Sequence, residues 1–321
     1  MSTVRATDDW SYRGYRAVIL ENEFMRVSVF PELGAKIYDI VHVPSHTNVL
    51  WHNPRVPLQK APFGSRFDDW WAGGWDEVFP NDQECLVGGE RLPDMGEAWS
   101  LEWEYQTKEQ AGSASVTTRV TTPISPAEIT RTVTLGAGES SMRLDYEIRN
   151  LSGDRMDFLW KIHAAFEVND GCSIEIPSRL AKVDPRFQHL FEGSSYDWPL
   201  ATLRGGARVD MTRVRTSDHS CTCQYLTELE EGTVGLRDEG RGLESRLTFP
   251  KDVLDNVWLF LDYGGWRGNY LAALEPSTGY PQDLAEAIRQ RHCASLDGGG
   301  TLRAQVGFSV GPIGARPRSN A

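Results

Sequence analysis

Met142-Arg-Leu-Asp-Tyr-Glu-Ile-Arg149 alternates apolar and charged residues without a break. Met142, Leu144, Tyr146 and Ile148 fall on one side of an extended chain, and Arg143, Asp145, Glu147 and Arg149 on the other. This is the period of a β-strand with one buried and one wet face. Val27-Ser-Val29-Phe30 repeats it before Pro31-Glu-Leu-Gly34 turns the chain. Strand-like runs also cover Ala35–His42, Asn48–His52, Ser115–Thr121 and Asn256–Asp262. Turn clusters at Leu135–Gly138, Leu151–Asp154 and Asn169–Gly171 punctuate them. Only Pro281–His292 reads as a helix, with proline near its first turn and Leu284, Ala287, Ile288 and Arg291 on one side. Many strands and one short helix near the C-terminus predict an all-β fold, a large antiparallel sandwich. With no repeat, low-complexity segment or linker, residues 1–321 are expected to form one domain.

Two segments break the alternation. Pro54–Trp99 is rich in loops and glycine pairs, and holds Trp70, Trp71, Trp75 and Trp99. Loops of this length inside a compact domain are usually functional or disordered, and so many aromatics argue against disorder. Gly311–Ala321 reads as a frayed tail.

The formal net charge is -12, which argues against nucleic acid or an anionic membrane as the main partner. No run approaches the roughly 18 apolar residues that span a bilayer. Met1–Arg16 lacks the apolar centre of a secretory signal. Five cysteines, Cys85, Cys172, Cys221, Cys223 and Cys293, form no zinc-type spacing. A reduced, cytoplasmic protein is the expectation. Eleven tryptophans supply core, and also flat faces on which sugar rings stack.

Phe158–Val168 places Phe158, Trp160, Ile162, Ala164, Phe166 and Val168 on one face. Lys161, His163 and Glu167 share the other, where His163 is either a half-exposed sheet residue or an acid–base group in a cleft. Tyr270-Leu-Ala-Ala-Leu-Glu275-Pro276 ends an apolar run on a carboxylate, which is either a solvated strand end or a catalytic group. A third cluster, Gly73–Pro80 with Leu92–Trp99, supplies Trp75, Asp76, Glu77, Asp94, Glu97 and Trp99 from what reads as loops. Its carboxylates match no metal-loop spacing, so no metal is expected.

Taken in order, these segments resemble the galactose mutarotase-like (aldose 1-epimerase) superfamily. The residues that carry the resemblance are Leu20–Ile37, Gly74–Pro80, His163-Ala-Ala-Phe166 and Ala273-Leu-Glu-Pro276. The resemblance implies the family's β-supersandwich, a small-molecule carbohydrate as ligand, and no cofactor. It implies that Glu275 takes the proton of the anomeric hydroxyl while His163 protonates the ring oxygen. Ordinary Glu and His pKa values, about 4.3 and 6.5, would suit those roles near neutrality. Sugar contacts are expected from Arg66, Trp75, Asp76, Met95, Glu97, Trp99 and Lys161. Family members commonly read Asp-His-Gly where this chain reads Asp94-Met95-Gly96, and methionine cannot replace a histidine's hydrogen bond. Two other readings follow. One is a carbohydrate lyase, isomerase or glycosidase pairing Glu275 with Glu77 or Glu97. The other is a non-catalytic sugar-binding protein with Trp75 and Trp99 as platforms. A phosphorylated sugar would need converging cations, for which Arg66, Arg91 and Lys161 are the candidates.

Overall fold

The computed structural model describes residues 3–318. Strand Ser141–Asn150 contains the alternating stretch and lies inside an eight-stranded antiparallel sheet, between Ala127–Gly136 and Thr301–Pro312. Met142, Leu144, Tyr146 and Ile148 are buried in the main core. Each such side chain contributes about 1.5–3 kcal/mol by leaving water. On the wet face Arg143 pairs with Asp145, and Glu147 with Arg303 across the neighbouring strand.

Facing this sheet is a twelve-stranded one. From Val4–Tyr12 it passes through Tyr15–Asn22, Met25–Phe30, Lys36–His42 and Trp75–Val78 to the pair Lys161–Glu167 and Tyr270–Ser277. It continues through Asn256–Tyr263 and Cys221–Leu229. Val27, Val29, Ile37, Ile162 and Phe166 point from it into the same core. The two inner faces therefore form a sandwich. Its outer face is covered by loops, and the site lies there.

One polar cluster lies between the sheets. Glu77 accepts hydrogen bonds from Arg131, Tyr146, Trp160 and Trp75, and the Glu77 and Arg131 side chains are fully buried. A paired charge with several donors survives in a core where a lone one would not.

The structure revises several sequence expectations. Trp75–Val78 is not loop but a strand inside the large sheet. The Phe158–Val168 run is two strands, Met156–Phe158 and Lys161–Glu167. At the break, Leu159 and Trp160 donate to Pro80 and Thr278 while the chain moves from a small sheet to the large one. The N-terminal strand Val4–Tyr12 went unread because a register shift between Thr7 and Trp10 interrupts its alternation. The C-terminal helix is only Leu284–Gln290, capped by the Asp283 carboxylate on the Glu286 N–H, and a second, one-turn helix, Phe67–Trp70, lies in the stretch read as loop. Gly311 and Pro312 continue the last strand rather than fraying, and residues 319–321 lie outside the described residues. The described cysteines are all free thiols. Among the described residues no helix is long and apolar enough to cross a membrane.

Candidate active site

Four adjacent strands set the floor of the site. The strand pairing puts Trp258 opposite Glu275, Tyr225 opposite Trp258, and Cys223 opposite Phe260. Paired residues share a face, so Glu275, Trp258, Phe260, Cys221 and Cys223 all look outward, with Lys161 and His163 from the next strand. Phe67, Asp68 and Trp71 close over them, as do Asp94 and Met95, Arg186 and Phe187, and Trp266. The half-open cavity they line is about 200 Å³, room for several waters or one small ring.

Glu275 and His163 sit on this floor, 2% and 5% exposed. Glu275 Oε1 lies 3.9 Å from His163 Nε2, and Oε2 lies 2.6 Å from Lys161 Nζ. Lys161 also pairs with Asp82 and rests 4.1 Å from the centre of the Trp258 ring. Phe67 and Trp71 meet the His163 imidazole edge to face, at 5.3 and 5.0 Å. His163 Nδ1 is buried without a hydrogen-bond partner among the described residues.

Burial dominates the electrostatics and moves Glu275 and His163 in opposite directions. It pushes Glu275 up to about 7, with the Lys161 charge opposing part of the rise. It holds His163 well below the usual histidine range, and the positive charges of Lys161 and Lys36 add to that. Burial alone would lower Lys161, but the Asp82 and Glu275 carboxylates outweigh it and hold the ammonium charged. The expectation of two ordinary pKa values is therefore replaced. Near neutrality His163 is a neutral imidazole and Glu275 is divided between acid and carboxylate.

Of the residues singled out by sequence, Lys161 and Met95 join His163 and Glu275 on the cavity wall. Met95 has a left-handed backbone, φ 57°. At Gly96, also left-handed, an added Cβ would lie 2.3 Å from the Phe79 carbonyl oxygen, so only glycine fits. Asp76 sits opposite His163 in the ladder but is fully buried against Lys36 and does not line the cavity. Trp75 faces the core against Phe308, because Asp76, its neighbour on the strand, takes the outer face. It is not a stacking platform. Glu97 is spent on Ile124 N–H, Ser125 N–H and the Ser125 hydroxyl, and anchors a loop. Trp99 lies behind Phe67 and donates to the Asp94 carbonyl, so it supports the wall without lining it. Arg66 is exposed, precedes the Phe67–Trp70 helix and does not reach the cavity. Arg91 is exposed and pairs with Glu84, so the three cations weighed for a phosphate do not converge.

Sequence reading missed Asp82, Phe67, Trp71, Trp266 and Arg186. Trp258 was legible in principle, since the Asn256–Asp262 alternation puts it on one face with Phe260. The others come from loops whose approach no periodicity encodes.

No protein-family model matches the chain, and no curated protein matches it. Solved structures do. The Slr1438 protein from Synechocystis sp. PCC 6803 is 18% identical, with 97% of this chain and 100% of that one covered and a TM-score of 0.71. A Klebsiella pneumoniae protein provisionally named an aldose 1-epimerase is 12% identical over 96% of this chain and 83% of its own, TM-score 0.72. A galactose mutarotase-like protein from Clostridium acetobutylicum is 13% identical over 97% and 99%, TM-score 0.70. At such identities the likeness speaks for architecture, and on that evidence the chain has the galactose mutarotase-like β-sandwich fold.

Proposed function

We propose that this chain is an aldose 1-epimerase-like enzyme that interconverts the anomers of a free monosaccharide, with residues 1–321 acting as one sugar-binding domain. The observation that carries the reading is the Glu275–His163 pair, 3.9 Å apart on the floor of an aromatic-walled cavity. Opening a hemiacetal needs one group to take the O1 proton and another to give a proton to O5.

The pair works with one proton, and burial places it on Glu275. His163, neutral, accepts the proton of the anomeric hydroxyl. Glu275, protonated, donates to the ring oxygen as the C1–O5 bond breaks and the C1–O1 carbonyl forms. The aldehyde turns about C1–C2. O5 then returns its proton to Glu275 while it attacks C1, and O1 recovers its proton from His163. The cycle ends with both groups as they began. The resemblance alone would put the proton on His163, and the electrostatics of the site favour the reverse. Lys161 and Asp82 bracket Glu275 with compensating charge and keep its carboxyl near neutrality.

Hydrolysis by Glu275 with Glu77 or Glu97 does not suit this geometry, since Glu77 points into the core and Glu97 is tied to Ser125. Proton NMR of anomer exchange across a panel of aldoses tests the proposal. Exchange above the spontaneous rate is expected, and a protein that leaves every sugar at that rate would defeat it. Binding without exchange would leave a sugar-binding protein on the same site.

A further inference from the structure

The floor of the cavity has a direction. Glu275 turns its two carboxyl oxygens to different neighbours, Oε1 to His163 at 3.9 Å and Oε2 to Lys161 at 2.6 Å. His163 and Lys161 are two residues apart on one strand, a step of about 6–7 Å. Beyond Lys161 comes Asp82, which pairs with it. Next to Asp82, the Gln83 N–H donates to the main-chain carbonyl of Gln282 at 3.0 Å. Gln282 itself follows the end of the Glu275 strand, Tyr270–Ser277. Along the cavity the order is therefore His163, Glu275, Lys161 and then Gln282.

Gln282 lines the cavity and is only 8% exposed. Its side-chain amide makes no hydrogen bond among the described residues. Unlike Nδ1 of His163, neither amide atom is sealed from solvent, so a ligand in the cavity can reach both. The group carries no charge and offers two donors and an acceptor. The cations near it are engaged, Lys161 by Asp82 and Glu275, and Arg186 by Asp184 at 3.0 Å. What this end of the cavity presents to a ligand is a largely desolvated, neutral amide. Such a group is costly to leave unpaired and suits a hydroxyl, which donates and accepts as it does.

The atoms of the sugar follow the same order. In the proposed reaction O1 faces His163 and O5 faces Glu275. Past O5, away from O1, a pyranose ring carries C5 and its exocyclic C6. We infer that Gln282 determines specificity by holding the C6 hydroxyl of a hexopyranose with its side-chain amide. This rests on the proposed anomer exchange and adds to it the class of sugar. The hydroxyl donates to the amide oxygen and accepts from the amide N–H. A sugar without an oxygen on C6 leaves that amide bare.

The test compares D-glucose with 6-deoxy-D-glucose, and D-galactose with 6-deoxy-D-galactose, each pair differing only by the oxygen on C6. Anomer exchange is read by proton NMR and binding by calorimetry. In the wild type, kcat/KM should be higher by about ten-fold or more for the sugar that keeps the hydroxyl, because its analogue strands the amide. Gln282→Met keeps the length of the side chain and removes both polar atoms, and in it the ratio within each pair should fall toward one. The wild-type comparison decides on its own if that variant fails to fold. Equal kcat/KM within both pairs, or a ratio that Gln282→Met leaves unchanged, overturns the inference and leaves the epimerase reading standing. Tighter binding of the C6-hydroxylated sugars without exchange of any sugar overturns the epimerase reading and upholds the role of Gln282. No binding and no exchange of any of the four sugars overturns both.

Discussion

Lys161 holds its ammonium 2.6 Å from Glu275, against the Asp82 carboxylate, and over the ring of Trp258. The lysine is therefore the counter-charge of the buried Glu275 carboxyl rather than a free cation of the cavity. Its positive charge restrains the rise of Glu275. Removing it should send Glu275 higher and carry the alkaline limb of the pH–rate profile upward. Lys161→Met alone leaves Asp82 and Glu275 facing each other, and breaking such a buried pair costs about 3–5 kcal/mol. Lys161→Met with Asp82→Asn removes the pair as a unit and keeps the fold. A kcat/KM profile whose alkaline limb stays in place in both variants would mean that the lysine does not tune the Glu275 carboxyl.

The wild-type pH profile tests where the working proton resides. In the proposed reaction the active form carries one proton on the Glu275–His163 pair. Glu275 loses that proton as pH rises through about 7, and neutral His163 cannot supply one. So kcat/KM should fall as pH rises through that region. A rise with pH would instead make Glu275 a simple carboxylate base with an imidazole N–H as hydrogen-bond donor.

Stability carries the same signature. The folded pKa of Glu275 lies above its unfolded value, so the folded state binds the proton more tightly. Its contribution to stability is complete below the ordinary carboxyl pKa and is lost as pH rises to about 7. His163, lowered in the folded state, works the other way and costs stability as pH falls below the ordinary histidine value. Glu275→Gln removes the first effect alone. Urea melts should show the wild type losing stability relative to the variant between about pH 4.5 and 7. A constant difference across that window would contradict the raised carboxyl.

Glu275→Gln and His163→Asn should each lower anomer exchange by about 10²–10⁴, the usual range for one acid–base group. Circular dichroism should show both still folded, since each replaces a cavity-lining side chain by one of similar shape. Residual exchange above a tenth of wild type in either would remove that residue from the proton path.

Much of the sandwich was legible because alternation is a local signal. Met142–Arg149 reports its buried face without reference to any other part of the chain. Alternation placed His163 and Glu275 on their strands, but only the family resemblance singled them out as an acid–base pair. What stayed hidden depends on neighbours distant in sequence. Nothing near Trp75 shows that its strand is inserted between Lys36–His42 and Lys161–Glu167, and that insertion turns its ring into the core. Asp82 meets Lys161 from 79 residues away. Phe67, from a one-turn helix, and the loop residues Trp71 and Trp266 reach the site by tertiary packing, which period and propensity do not encode.

Trp75 and Trp266 separate the two uses of tryptophan in this chain. Trp75 is fully buried between the sheets and gives its indole N–H to Glu77. Trp75→Ala should cost about 3–5 kcal/mol of stability, the usual penalty for emptying a core of an aromatic ring. Trp266 lines the cavity from a loop, half-buried, with its ring against Phe260 and Arg267. Trp266→Ala should leave the urea midpoint nearly unchanged and weaken sugar binding by roughly 0.5–1.5 kcal/mol, about two- to ten-fold in KM. Denaturation and steady-state exchange on the same two variants give the answer. If Trp75→Ala raises KM at undiminished stability, or Trp266→Ala unfolds the protein without touching KM, the sheet face assigned to the ligand is the wrong one.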